Sequence, residues 1–107
     1  MSEGDGGEQT AAYLSRILAE LREREQRLAA LEERIRLVEF ELAGAGMERR
    51  LIRGDAAGMA GAEAFCRSRR QQLEALRRER AEAAADVERA RERRAMVEAE
   101  LKEQRDG

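Results

Sequence analysis

Histidine, tryptophan and proline are absent, cysteine occurs once, and the only aromatic residues are Tyr13, Phe40 and Phe65. Without histidine there is no histidine-based acid–base catalysis, and with Cys66 alone there is no zinc site of the usual kind. A single cysteine forms no internal disulfide, so nothing points to a secreted, disulfide-held scaffold. Val, Ile and Thr are too few for a sheet protein. No apolar run approaches the ~18 residues that a membrane-spanning helix needs. Residues Met1–Thr10 lack the basic start and apolar stretch of a signal peptide. The expectation is a soluble, cytoplasmic, largely helical protein that is not an enzyme and holds no metal or cofactor.

What is present is equally one-sided. Ala, Glu, Arg, Leu and Lys account for 71 of the 107 residues, well above the roughly 50% at which long helices and coiled coils become the default. The chain is too short for two domains and carries few large apolar residues for a globular core. Met1 to Glu8, glycine-rich and acidic, is expected to be a flexible tail, and the tail as a whole is set at residues 1–9. Gln9 or Thr10 is the expected N-cap of a first helix over 10–53. Within it, apolar residues recur at alternating steps of three and four. Leu14, Leu21, Leu28, Ile35 and Leu42 form one series, and Ile17, Leu31, Val38 and Ile52 the other, with Arg24 and Arg49 as polar exceptions. A period near 3.5 favours a left-handed supercoil.

The second half repeats the pattern with smaller side chains. Leu73, Val87 and Leu101 alternate with Arg80 and Arg94 in one series, while Leu76, Ala83, Ala90 and Val97 make the other. Small residues let two helices approach closely, and a long arginine can lay its stem along the seam with its head in water. Pairs such as Glu20–Arg24, Glu23–Arg27, Glu32–Arg36, Glu63–Arg67, Glu74–Arg78 and Glu98–Lys102 each add about 0.2–0.5 kcal/mol and mark a solvated face. Three glycines within residues 54–61 form the strongest internal break, ahead of Gly44 and Gly46. A turn at 54–61 leaves matched arms of 44 residues, 10–53 and 62–105, each roughly 66 Å long as a helix. The fold expected is all-α, a long antiparallel two-helix coiled-coil hairpin.

Little in this pattern carries chemistry. The carboxylates lie beside arginines along helices and lack the concave, partly dry site that shifts their protonation. Arginine clusters occur at Arg49-Arg50, Arg69-Arg70, Arg77-Arg78 with Arg80, and Arg91 with Arg93-Arg94. Glutamates interleave them and the formal net charge is −2, so nucleic acid is not the expected partner. Arginine is enriched at protein interfaces, which favours a protein partner. The basic stretch Cys66–Gln72 is one such patch. Cys66 is expected to be a packing thiol, and Phe65 is expected to pack across the hairpin near Met47 or Leu51. Leu18, Leu37, Phe40 and Leu51 fall outside the seam and point to a further partner or to self-association.

Two segments carry a family resemblance. The arm from Phe65 through Arg70-Gln71-Gln72-Leu73-Glu74-Ala75-Leu76, then Val87-Glu88-Arg89-Ala90-Arg91-Glu92-Arg93-Arg94 and Val97-Glu98-Ala99-Glu100-Leu101, resembles the C-terminal helix of the FliJ family. These are small soluble proteins of the flagellar type III export apparatus. Tyr13-Leu14-Ser15-Arg16-Ile17-Leu18-Ala19-Glu20-Leu21-Arg22 is similar to that family's opening. The resemblance spans about residues 13–104. It implies a stalk in the pore of a hexameric export ATPase that promotes ring assembly and meets the export gate and substrate chaperones. It also implies a peripheral place at the inner face of the cell membrane. The residues expected to meet partners are Tyr13, Leu14, Arg24, Arg69, Arg70, Arg80, Arg94 and Leu101, with Tyr13, Leu14, Leu101 and Gln104 forming the tip. The competing expectation is a self-associating coiled-coil scaffold or adaptor unconnected with secretion. The hairpin itself makes a direct prediction: cysteines placed at Leu14 and Leu101 cross-link within one chain, and exclusively intermolecular cross-links would indicate a long parallel dimer.

Overall fold

A 3–4 spacing of apolar residues on a chain without proline specifies helices whose apolar stripes must be buried against one another. The computed structural model describes the backbone of residues 2–106 and the side chains of residues 6–106. It is an antiparallel hairpin of two helices, α1 (Ser2–Leu51) and α2 (Ala56–Asp106), with no strand among the described residues. The chain divides into two compact units, one of Met1–Leu28 with Glu82–Gly107 and the other of Ala29–Ala81.

In the first unit, Ile17 and Leu21 of α1 are buried with Ala83, Val87, Ala90 and Val97 of α2. Leu28 packs against the cluster of Leu21, Val87 and Ala90. Polar contacts across the helices show the antiparallel register. Arg93 Nη1 lies 3.7 Å from Glu20 Oε2, and Arg91 Nη2 lies 4.0 Å from Glu25 Oε2. Gln104 Nε2 donates to Thr10 Oγ1 at 3.4 Å.

In the second unit the buried residues are Leu31, Ile35, Val38 and Ala45 of α1 with Cys66, Leu73 and Leu76 of α2. Ala45 continues the series seven residues after Val38, and Cys66 stands seven before Leu73. Arg49 to Glu63 (3.8 Å) and Arg69 to Glu41 (2.6 Å) cross between the helices here. Magnitudes rank these contacts. A fully buried Leu or Ile contributes about 1.5–3 kcal/mol, whereas an exposed ion pair contributes about 0.2–1 kcal/mol. The apolar seam therefore stabilises the hairpin, and the ion pairs only bias its register.

The turn is tighter than the glycine spacing predicts. Residues 52–55 make the reversal, and Gly58 and Gly61 lie inside α2 rather than in a turn over 54–61. Among the described residues, only Gly54 has a positive φ, 101°, a conformation that costs side-chain-bearing residues about 1–3 kcal/mol. Asp55 then caps α2. Its Oδ1 accepts from the Gly58 N–H at 3.2 Å, and its carbonyl accepts from the Met59 N–H at 2.9 Å. A Cβ at Gly58 would stand 2.7 Å from the Asp55 carboxylate, so this glycine serves the cap.

Two further differences concern ends and aromatics. The flexible tail expected over 1–9 is helical from Ser2 onward, while Met1 lies outside the described residues. Thr10 does not cap a helix start: its hydroxyl donates back to the Gly6 carbonyl at 2.8 Å, inside α1. Propagating a nucleated helix through glycine costs only about 1 kcal/mol per residue. Phe65 lies beneath the Arg69 guanidinium at 4.9 Å, and Met47 and Leu51 stay exposed. Urea unfolding followed by circular dichroism tests this ranking. Leu21→Ala loses about 2–5 kcal/mol, Gly54→Ala about 1–3 kcal/mol, and Met96→Ala, at an exposed methionine of α2, no more than about 0.5 kcal/mol.

Candidate functional site

The expected partner-binding residues fall into both units. In the first unit, Leu14 and Leu101 come together and line one open groove with Glu98, Lys102 and Arg105. Tyr13, one residue away, is 41% exposed and carries the Arg16 guanidinium over its ring at 5.5 Å. This unit thus presents an aromatic ring beside a half-buried leucine pair, rimmed by charge of both signs.

Arg24 and Arg94 occupy seam positions in the same unit and are half-buried. Each is engaged locally. Arg24 Nη1 stands 3.4 Å from Glu20 Oε2, and Arg94 Nε stands 3.6 Å from Glu98 Oε1. Glu20 therefore serves both Arg24 on its own helix and Arg93 on the other. Half-burial with the guanidinium beside a local carboxylate is the pattern expected of a snorkelling arginine.

Arg69, Arg70 and Arg80 lie in the second unit. Arg69 is the most constrained: it stacks over Phe65, donates from Nη1 to Gln72 Oε1 at 3.0 Å, and holds Nε 2.6 Å from Glu41 Oε2. That Nε is buried, and the carboxylate is close without meeting its N–H in a hydrogen bond. Arg70 is exposed and lines a shallow cleft with Arg49, Glu63, Cys66 and Arg67. A second cleft gathers Arg49, Arg50 and Arg53 with Gly46 and Met59. The turn end is therefore more basic than the Cys66–Gln72 stretch alone predicts, because α1 adds its own arginines. Arg80 is exposed although it falls in a seam series.

The anticipated Glu32–Arg36 and Glu63–Arg67 pairs give way to other partners. Arg36 hydrogen-bonds Glu33 at 2.7 Å, and that bond, followed by the charge of the same carboxylate, raises its pKa and keeps it cationic. Glu63 faces Arg49 of the other helix. Arg89 pairs with Asp86, and Arg91 with Glu88 at 2.8 Å. Among the described residues, no three His, Cys, Asp or Glu side chains gather as a metal-holding group, and no helix is long and apolar enough to cross a membrane.

Compared with family models, curated proteins and solved structures, the chain matches none. The exposed apolar residues are a feature that sequence reasoning caught only in part. Leu37, Phe40 and Leu51 were separable from the seam by their phase, but Met47 belongs with them. The signal is a second alternation of threes and fours running out of step with the first.

Arg24 and Arg94 give this surface its test. If they are snorkelling exceptions in an apolar seam, Arg24→Leu and Arg94→Leu each raise the unfolding free energy by about 1 kcal/mol. A loss of stability in urea titrations would instead make the local ion pairs important to the fold.

Proposed function

We propose that this chain is a non-enzymatic coiled-coil adaptor that works by binding other proteins. We further propose that its principal partner is a hexameric export ATPase of the flagellar type III kind. In that role it joins the ring as a stalk, promotes its assembly, and meets the export gate and substrate chaperones. The observation that carries the reading is the open end of the hairpin, where exposed Tyr13 stands next to the groove lined by Leu14 and Leu101. Aromatic and arginine side chains, here Tyr13 with Arg16 over its ring, are enriched among the anchors of protein interfaces. The choice of partner rests on the FliJ-like sequences of residues 13–22 and 65–101.

The second reading, a self-associating scaffold unconnected with secretion, is favoured by a different feature, the exposed apolar residues of α1. The two separate cleanly. Mixed with a flagellar export ATPase, the protein is expected to raise both the hexamer fraction and the rate of ATP hydrolysis. Tyr13→Ala is expected to weaken that binding about 30-fold, the scale of losing one interface anchor of about 2 kcal/mol. No change in assembly or hydrolysis with the unmodified protein would discard the stalk reading.

A further inference from the structure

Within the Ala29–Ala81 unit, α1 carries a second apolar stripe. Leu37, Phe40, Met47 and Leu51, with Gly44 between the middle two, follow one another at steps of three, four, three and four. At about 100° per residue these positions centre on the side of α1 away from Ile35, Val38 and Leu42. All four large side chains are exposed, by 54%, 77%, 61% and 83% in chain order. Single exposed leucines need no explanation, but a stripe at heptad spacing is the pattern that coiled coils bury.

We propose that this stripe is the interface with a second copy of this chain, α1 lying parallel and in register along α1 of the second copy. The flanking charges select that occupant and that direction. One flank carries Arg36, Ala43 and Arg50, and the other carries Arg34, Glu41 and Glu48. In a parallel pair each flank meets the opposite flank of the second copy, setting Ala29 by Arg34, Arg36 by Glu41 and Ala43 by Glu48. Every copy then gains an opposite-charge pair and no like-charge pair. In an antiparallel pair each flank meets its own kind, so arginine faces arginine and Glu41 faces a carboxylate. Arg36 and Glu41 keep 65% and 41% of their side chains exposed despite their contacts with Glu33 and Arg69. Gly44 has no heavy atom within 4 Å of where a Cβ would stand. That gap leaves room for the Phe40 ring of the second copy in the hole beside it. This inference does not depend on the identity of any export partner.

Light scattering and sedimentation equilibrium on the full chain test it. A dimer is expected that Phe40→Glu weakens about ten- to hundredfold, the scale for an unpaired charge placed in an apolar contact. Helical circular dichroism should not change, because Phe40 is 77% exposed in the single chain. Met96→Glu, at an exposed methionine of α2, should leave the mass unaltered. Direction is read separately. With Cys66 replaced by alanine, Leu37→Cys should oxidise to a covalent dimer through its own counterpart. A monomer at every concentration, a dimer indifferent to Phe40→Glu, or a Leu37→Cys chain that stays uncross-linked on oxidation would each overturn the proposal. Tyr13→Ala should leave dimerisation intact, which separates failure here from failure of the export reading.

Discussion

The structure depends on one kind of contact, the apolar seam between α1 and α2, and in the first unit large aliphatic residues of α1 meet small residues of α2. In the first unit, Ile17 and Leu21 are buried on one side and Ala83, Val87 and Ala90 on the other. The small side chains let the helices approach closely, and close approach buries aliphatic groups that a two-helix protein has few of. Exposed ion pairs contribute too little to replace that burial. The turn serves the seam by reversing the chain within 52–55, through a positive φ at Gly54 and the Asp55 cap. The helices that follow have near-equal length, 50 and 51 residues.

A seam of this kind uses one face of each helix and leaves the others free. That geometry leaves surface beyond the seam exposed among the described residues. In the first unit, Tyr13 is exposed beside the groove that Leu14 and Leu101 line. Near the turn, arginines from both helices collect around Cys66 and Met59. Along the outside of α1, the Leu37–Leu51 stripe offers apolar surface that the hairpin does not consume. Arg24 and Arg94, half-buried at seam positions, keep their charges beside glutamates of their own helices.

Fold class and seam were legible in the sequence because both follow from a single periodicity. Ile17, Leu21, Leu31, Ile35 and Val38 are buried as their spacing requires, and so are Leu73, Leu76, Ala83, Val87, Ala90 and Val97. The ends of elements were less legible, since glycine content alone does not say which glycine must adopt a positive φ. Gly54 must, while Gly58 and Gly61 continue a helix. The same weakness explains the acidic start, where composition argued for a tail and an established helix runs through. Individual ion pairs were read least well. An exposed arginine has several glutamates within reach at nearly equal free energy, so Arg36 chooses Glu33 and Glu63 chooses Arg49. Which proteins dock on the surface is a property of partners as well as of this chain, and periodicity has nothing to say about it.

The central claim is that the seam closes within one chain, and a distance between spin labels tests it most directly. Labels at exposed Ser15 and Glu100 flank the Leu14–Leu101 groove on opposite helices. A short distance within the chain is expected, and it should persist when dilution with an excess of unlabelled chain removes every distance between chains. A short distance that disappears on dilution would mean that the contact forms between chains, and the hairpin would be wrong.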